Sequence, residues 1–215
     1  RSRGLGDVYK RQLCVMPTGG GKSLCYQIPA LLLPGITLVV SPLISLMKDQ
    51  VAALKSAGIP AAYINSSLTG EQIRTVYART RKGAYKLIYV APERLETNSF
   101  LSLMQEMDVS FLAVDEAHCI SQWGQDFRPS YLGIVDFINA LPRRPIVAAY
   151  TATATKQVQS DILRLLQLQS PYRIVTGFDR PNLYFDVRRP KNKFSALAAL
   201  IDERRGRSGI VYCAT

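Results

Sequence analysis

The stretch Leu13-Cys-Val-Met-Pro-Thr-Gly-Gly-Gly-Lys-Ser-Leu-Cys-Tyr-Gln27 decides the fold of this chain. Its first residues, Leu13–Met16, are apolar and favour a short buried strand. The three glycines at 19–21 allow the backbone to curl tightly and to bring its N–H groups close to an anion. Lys22 and Ser23 then open a helix, whose N-terminus adds partial positive charge at the same point. The stretch is therefore predicted to bind phosphate groups.

Each position of this phosphate-binding loop has a predicted task. The loop amides and the Lys22 ammonium are expected to hold the β- and γ-phosphates of a nucleoside triphosphate, and the Ser23 hydroxyl is expected to bind Mg²⁺. Met16 departs from the strict pattern, which has glycine there, and a glycine-rich turn with a surface lysine is the alternative. The predicted ATP-binding residues are Thr18, Gly19, Gly20, Gly21, Lys22 and Ser23.

The overall composition indicates a globular protein with an anionic partner. The chain has 215 residues, of which 47% are hydrophobic, and this fits one domain or one domain with a further fragment. A formal charge of +11 favours nucleic acid as a partner, although a merely basic surface is the alternative. Apolar runs stay too short to span a membrane. The four cysteines form no CxxC pair, so we expect neither zinc nor disulfides, and a cytoplasmic location.

Alternating apolar strands and helices predict an α/β fold with a parallel sheet covered by helices on both faces. Residues 13–176 are expected to form this lobe, after a lead-in at 1–12 that matches no part of the pattern. A connector is expected at 177–190. Residues 191–215 are predicted to begin a second lobe of which only one helix and one strand are present.

A second chemical motif, Asp115-Glu-Ala-His118, follows the apolar strand that ends at Val114. Asp115 is the candidate Mg²⁺ partner and Glu116 the candidate general base that polarises an attacking water. His118 is the only histidine, and it is predicted to relay between Glu116 and the Thr151-Ala-Thr153 turn. The predicted catalytic residues are thus Glu116, Lys22 and His118. The alternative is an exposed acidic pair at a helix N-terminus.

Six motifs occur in order along the chain, and together they resemble the RecQ family of superfamily 2 DNA helicases. They are the phosphate-binding loop, Ser41-Pro-Leu-Ile-Ser-Leu-Met-Lys-Asp-Gln50, Ala91-Pro-Glu-Arg-Leu95, Asp115-Glu-Ala-His-Cys-Ile-Ser-Gln-Trp-Gly124, Thr151-Ala-Thr153 and Phe178-Asp-Arg-Pro-Asn182. The resemblance implies a RecA-like P-loop NTPase lobe followed by a second lobe. It further implies ATP-driven 3′-to-5′ unwinding of DNA in recombination and repair.

The segment Ser121–Tyr131 places several aromatic side chains in one loop beside the acidic pair. Aromatic faces stack on unpaired bases and arginine contacts phosphates, so Trp123, Phe127 and Arg128 are candidate contacts to DNA. Packing of these aromatics under the sheet is the alternative. The resemblance implies that this aromatic loop senses single-stranded DNA and licenses hydrolysis, although Gln125 stands where the family usually has histidine.

Four further residues complete the predicted DNA-binding and coupling set. Ser41 and Arg94 follow strands and could hold DNA phosphates, or could be an ordinary helix cap and a surface arginine. Thr151 and Thr153 are expected to couple the nucleotide and DNA sites. The expected partners are single-stranded or partially duplex DNA and a second lobe of the same protein.

Two other functions remain open from the sequence. An RNA helicase could share the Asp115–His118 motif, and a module without catalysis could bind nucleotide or nucleic acid as a regulator. The family's upstream adenine-reading segment does not match residues 1–12, and its arginine finger would lie beyond Thr215. An arginine finger contributes a factor of about 10³–10⁵ in rate, so this chain alone is expected to hydrolyse ATP poorly.

Overall fold

The structure is a computed structural model that describes residues 11–177 and 183–213. The chain divides into two compact units, Arg1–Phe178 and Asp179–Thr215, and each is described by itself. Most of the predicted lead-in and the Phe178–Asn182 motif lie outside the described residues.

The first unit is built on a seven-stranded sheet in which every pairing is parallel. The strand order is β3-β4-β2-β5-β6-β1-β7. The strands are β1 (Arg11–Val15), β2 (Ile36–Val40), β3 (Ala61–Ile64), β4 (Leu87–Val90), β5 (Val109–Val114), β6 (Ile146–Thr151) and β7 (Tyr172–Val175). The predicted α/β architecture is confirmed.

Helices connect the strands and cover the sheet. Those of the first unit are α1 (Lys22–Leu32), α2 (Ile44–Ser56), α3 (Gly70–Arg81), α4 (Pro92–Leu95), α5 (Asn98–Gln105), α6 (Ile134–Ala140) and α7 (Lys156–Leu165), with 3₁₀ turns at Ala117–Ile120 and Pro129–Tyr131. Successive strand residues point to opposite faces. Leu13 and Val15 therefore belong to one buried cluster and Cys14 to the other, which explains why the strands are apolar throughout.

The strand order brings the chemical motifs to one edge of the sheet. β2, β5, β6 and β1 are consecutive neighbours, and their carboxyl ends lie in register, with Val40 beside Val114 and Val15 beside Thr151. The loops that follow these strands carry the phosphate-binding loop, the Asp115 motif and the Thr151 turn. In open α/β sheets ligands bind at this edge.

Several local predictions need correction. β1 begins at Arg11, two residues earlier than predicted, because its backbone pairs with β6 from that residue onward. The sequence pattern predicts one helix from Ser130 to Leu141, but the structure has a 3₁₀ turn followed by α6. The spacing of Leu43 and Met47 predicts that both face the core, but Leu43 is 42% exposed because α2 begins only at Ile44.

The described part of the second unit contains one helix, α8 (Lys193–Glu203), which Asn192 caps by accepting a hydrogen bond from the Ser195 amide. The apolar runs at 184–187 and 209–212 predict strands, but neither run forms a strand among the described residues. A strand needs a neighbouring strand to satisfy its backbone hydrogen bonds, and in the described part of the chain no strand pairs with either run. Among the described residues, every helix is too short or too polar to cross a bilayer.

Candidate active site

The phosphate-binding loop adopts the curled conformation that its glycines predict. Gly19 and Gly21 have positive φ angles of 78° and 80°, a region that disfavours residues with a Cβ. The Gly20 amide donates to the Pro17 carbonyl at 3.0 Å, and a Cβ on Gly20 would lie 2.9 Å from that oxygen. The Met16 amide donates to the Thr151 carbonyl at 3.0 Å, so the loop is fixed to the end of β6.

The helix that follows this loop has an uncapped N-terminus, where no side chain neutralises the positive partial charge of the first amides. Gly21 occupies the N-cap of α1 and has no side chain to cap the first amides, and the first turn contains no acidic residue. The Lys22 side chain is half-buried at this point. A helix N-terminus in this condition is suited to bind an anion that approaches from the loop.

The acidic pair lies at the end of β5, within electrostatic range of Lys22. The Asp115 amide donates to the Val40 carbonyl at 2.8 Å, which holds the residue at the sheet edge. Burial, reinforced by the neighbouring Glu116 carboxylate, raises the pKa of Asp115 to about 6. The Lys22 ammonium partly offsets the rise in the pKa of Asp115 and adds to the lowering of the pKa of Glu116.

Glu116 occupies a backbone conformation that is unusual for its residue type. Its φ and ψ angles of 45° and 46° lie in the left-handed region, and such strain is often stored at functional sites. Its Oε2 atom lies 3.3 Å from His118 Nδ1. This hydrogen bond is the largest cause of a lowered pKa of the Glu116 carboxyl, with Lys22 adding to the effect.

A chain of hydrogen bonds leads from the acidic pair to the Thr151 turn. His118 Nδ1 lies 2.9 Å from Thr151 Oγ1, and both side chains are buried. The Thr151 hydroxyl donates to the Thr153 carbonyl at 3.1 Å, so it accepts from His118, and we assign the imidazole proton to Nδ1. The geometry joins Glu116, His118, Thr151 and Thr153 in the order in which the sequence predicts a relay.

The aromatic loop, residues 121–131, presents one aromatic side chain to solvent. Trp123 is 75% exposed, whereas Phe127 is half-buried and Tyr131 is fully buried. The Tyr131 hydroxyl donates to the Asp115 carbonyl at 2.9 Å, and this bond joins the loop directly to the acidic pair. The alternative that all the aromatics pack under the sheet is therefore wrong for Trp123.

Arg128 is engaged within the protein. Its Nε and Nη2 atoms donate to Asp126 Oδ2 at 3.0 and 2.8 Å, and Nη1 donates to the Pro42 carbonyl at 3.0 Å. The Pro42 contact connects the aromatic loop to the loop after β2. Arg128 therefore shapes the interface between these loops, besides any contact with a ligand.

Ser41 directly follows β2, and Arg94 lies on α4, the short helix after β4. The Ser41 hydroxyl is buried and has no hydrogen-bond partner among the residues that the structure describes. Arg94 is half-buried, and its Nη2 donates to the Asn65 carbonyl at 3.3 Å. Ser130 donates to Glu93 at 3.0 Å and so joins the end of the aromatic loop to the same region.

One cavity of about 280 Å³ connects the predicted motifs. Residues of the phosphate-binding loop, the acidic motif, the aromatic loop and the Thr151 turn line it, namely Thr18, Glu116, His118, Gln125 and Thr153. Sequence reasoning missed the role of Tyr131 and of the Pro42 carbonyl, because both act through contacts between loops that are distant in sequence.

These features define a nucleoside-triphosphate-binding lobe of the helicase type. The family model described as "DEAD/DEAH box helicase" matches residues 5–161. The chain belongs to this family.

Within it, the chain is similar to the ATP-dependent DNA helicase RecQ of Bacillus subtilis, with 52% identity over 94% of this chain and 34% of the relative. It is 49% identical to RecQ of Pasteurella multocida, over 95% of this chain and 32% of that protein. The predicted RecQ resemblance is confirmed, and the chain spans about a third of the length of these relatives.

Solved helicase structures share the fold at low sequence identity. The Hef helicase domain of Pyrococcus furiosus superposes with a TM-score of 0.60 at 20% identity, covering 78% of this chain and 36% of that one. The DUF1998 helicase MrfA gives a TM-score of 0.63 at 19% identity, covering 91% of this chain and 32% of that one.

Proposed function

We propose that this chain is the ATP-binding lobe of a RecQ-type DNA helicase that unwinds DNA in the 3′-to-5′ direction during recombination and repair. The observation that carries the proposal is that the phosphate-binding loop, the acidic motif and the Thr151 turn follow neighbouring strands and line one cavity with the loop that exposes Trp123. The similarity to RecQ helicases supports DNA as the nucleic acid. A second lobe of the same protein would complete the site.

ATP would bind to the curled loop. The amides of Thr18–Gly21 and the Lys22 ammonium would hold the β- and γ-phosphates, because they form the uncapped positive end of α1. Ser23 and Asp115 are the residues that would hold Mg²⁺, and their hydroxyl and carboxylate oxygens are donors that this ion prefers. When bound, Mg²⁺ neutralises charge that develops on the phosphates.

Glu116 is the general base in this proposal. Its lowered pKa keeps it ionised at neutral pH, so that it can accept a proton from the water that attacks the γ-phosphate. His118 holds the Glu116 carboxylate through Nδ1 and contacts Thr151 through the same atom. A movement of the Thr151–Thr153 turn would therefore change the position of the base.

The aromatic loop is the proposed sensor of DNA. Trp123 can stack on an unpaired base because most of its surface is free, and Phe127 and Arg128 are further proposed contacts to DNA. Arg128 also holds the loop through the Pro42 carbonyl. Ser41 after β2 and Arg94 on α4 are proposed contacts to the DNA backbone. The four free cysteines support a reducing cytoplasmic location.

The experiment is a measurement of ATP hydrolysis by the full-length protein with no nucleic acid, with single-stranded DNA and with single-stranded RNA. We expect stimulation by DNA and loss of hydrolysis in Lys22→Ala. Stimulation by RNA and not by DNA would identify an RNA helicase. Nucleotide binding without hydrolysis under all three conditions would indicate a binding module and would overturn the enzyme proposal.

A further inference from the structure

A buried carboxylate on α7 holds the aromatic loop. Ser121, the first residue of the loop, donates its hydroxyl to Asp161 Oδ2 at 2.7 Å, and both residues are buried. The same Ser121 oxygen accepts the Trp123 amide at 3.2 Å. Asp161 is therefore two hydrogen bonds away from the backbone of the one exposed aromatic residue in the loop.

The helix that carries Asp161 begins just after the Thr151 turn. The Thr155 hydroxyl caps α7 by accepting from the Val158 amide at 3.3 Å. α7 packs against the 3₁₀ turn Ala117–Ile120, which carries His118. A displacement of the Thr151–Thr153 turn would thus be transmitted to Asp161 through the start of its helix.

The burial of Asp161 needs an explanation, because a buried carboxylate is costly unless it is paired. Its Oδ1 accepts from Arg164 Nη2 at 2.9 Å, and that arginine side chain is 69% exposed. The ion pair with Arg164 engages one oxygen only. The second oxygen is directed inward at Ser121, and an ordinary surface ion pair on a helix has no need of that contact.

We propose that Asp161 is a positioning residue that acts through Ser121 to hold the aromatic loop in the conformation that reports DNA to the hydrolysis site. This inference rests on the proposed function, since it concerns the loop of that same site. Asp161 contacts neither nucleotide nor DNA in this arrangement. Its effect is confined to the placement of the Trp123 backbone and to the mechanical connection between the loop and α7.

The test compares basal and DNA-stimulated ATP hydrolysis by the full-length protein in Ser121→Ala, Asp161→Ala, Asp161→Asn and Arg164→Ala. Ser121→Ala and Asp161→Ala each remove the hydrogen bond between residues 121 and 161, whose acceptor is charged. Each variant should lower the DNA-stimulated rate about tenfold. Basal hydrolysis should remain within about twofold of the unmodified rate. The double variant S121A/D161A should lose little more than Ser121→Ala alone, because both changes break the bond between residues 121 and 161.

Two variants separate positioning from a merely structural role. Asp161→Asn keeps an oxygen acceptor for Ser121, so it should restore most of the DNA stimulation. Arg164→Ala removes the ion pair on the other oxygen, and it should behave like the unmodified protein. An Arg164→Ala variant as defective as Asp161→Ala, or equal losses of basal and stimulated rates in Asp161→Ala, would overturn the inference.

Trp123 provides a second, spectroscopic measurement on this chain, because it is the only tryptophan in the sequence. Asp161→Ala and Ser121→Ala should lower the fluorescence anisotropy of Trp123 as the loop gains mobility, and Arg164→Ala should leave it unchanged. Unchanged anisotropy in Asp161→Ala would reject the anchoring role. Absence of DNA stimulation in the unmodified full-length protein would instead reject the proposed function, so the two failures are distinguishable.

Discussion

His118 Nδ1 lies 2.9 Å from the Oγ1 atom of Thr151, and this contact joins the loops that follow two neighbouring strands. His118 comes after β5 and Thr151 ends β6, so the contact depends on the parallel pairing of those strands. The same nitrogen lies 3.3 Å from Glu116. The imidazole is therefore shared between the proposed base and the turn that leads into α7.

Thr151→Val should uncouple hydrolysis from DNA binding. Valine has nearly the shape of threonine but cannot accept the His118 proton, and the loss of this buried bond should reduce DNA-stimulated hydrolysis about tenfold. Nucleotide binding should be unchanged, because the phosphate-binding loop contacts Thr151 through the backbone carbonyl. The measurement is the ratio of stimulated to basal rate, with Thr75→Val, an exposed position on α3, as the control. A normal ratio in Thr151→Val would show that the relay has no role.

Lys22→Ala should abolish hydrolysis and preserve the fold. The lysine is half-buried at the start of α1, where the phosphate-binding loop ends, so its loss removes a positive charge from the site where phosphate charge develops. Removal of one such stabilising group costs about 10²–10³ in rate. Hydrolysis and thermal unfolding should be measured together, with Lys48→Ala, an exposed lysine on α2, as the control. Retained hydrolysis would contradict the assigned phosphate site.

The sequence predicts most directly those parts of the site whose residues are adjacent in the chain. The phosphate-binding loop is contiguous, and its glycines dictate the conformation that Gly19 and Gly21 adopt. The meeting of His118 with Thr151 was also predictable, because the motifs follow strands of a parallel sheet and such strands end at one edge. The α/β architecture follows from the same alternation of apolar strands and helices.

The contacts that sequence could not predict depend on side chains from distant segments. Tyr131 reaches the Asp115 carbonyl and Ser121 reaches Asp161, and no periodicity specifies either partner. The prediction of strands in the second unit is wrong for a different reason. Apolar runs such as 209–212 are compatible with a strand, but a strand forms only where another strand pairs with it.

Gly124→Ala should distort the aromatic loop. A Cβ on Gly124 would lie 2.3 Å from the His118 carbonyl and 3.0 Å from the Ser121 carbonyl, so backbone must move to admit it. We expect a destabilisation of about 1–3 kcal/mol, as in other cases of overpacking, together with weaker DNA stimulation. Gly70→Ala is the matched control, because its nearest contact is 3.8 Å away at the start of α3. Chemical denaturation measures both, and equal stability of the two variants would show that the loop has room for the methyl group.

Trp123→Ala should reduce DNA stimulation more than basal hydrolysis. The side chain is 75% exposed, so its removal creates no cavity in the core and should change stability by less than about 0.5 kcal/mol. Base stacking on an aromatic face contributes about 1–3 kcal/mol, so the affinity for single-stranded DNA should fall between about fivefold and about 150-fold. Trp123→Phe retains an aromatic face and should preserve part of that affinity. Oligonucleotide titration of the hydrolysis rate measures the effect. If basal and stimulated rates fall equally in Trp123→Ala, the tryptophan serves folding and the aromatic loop reads DNA through another residue.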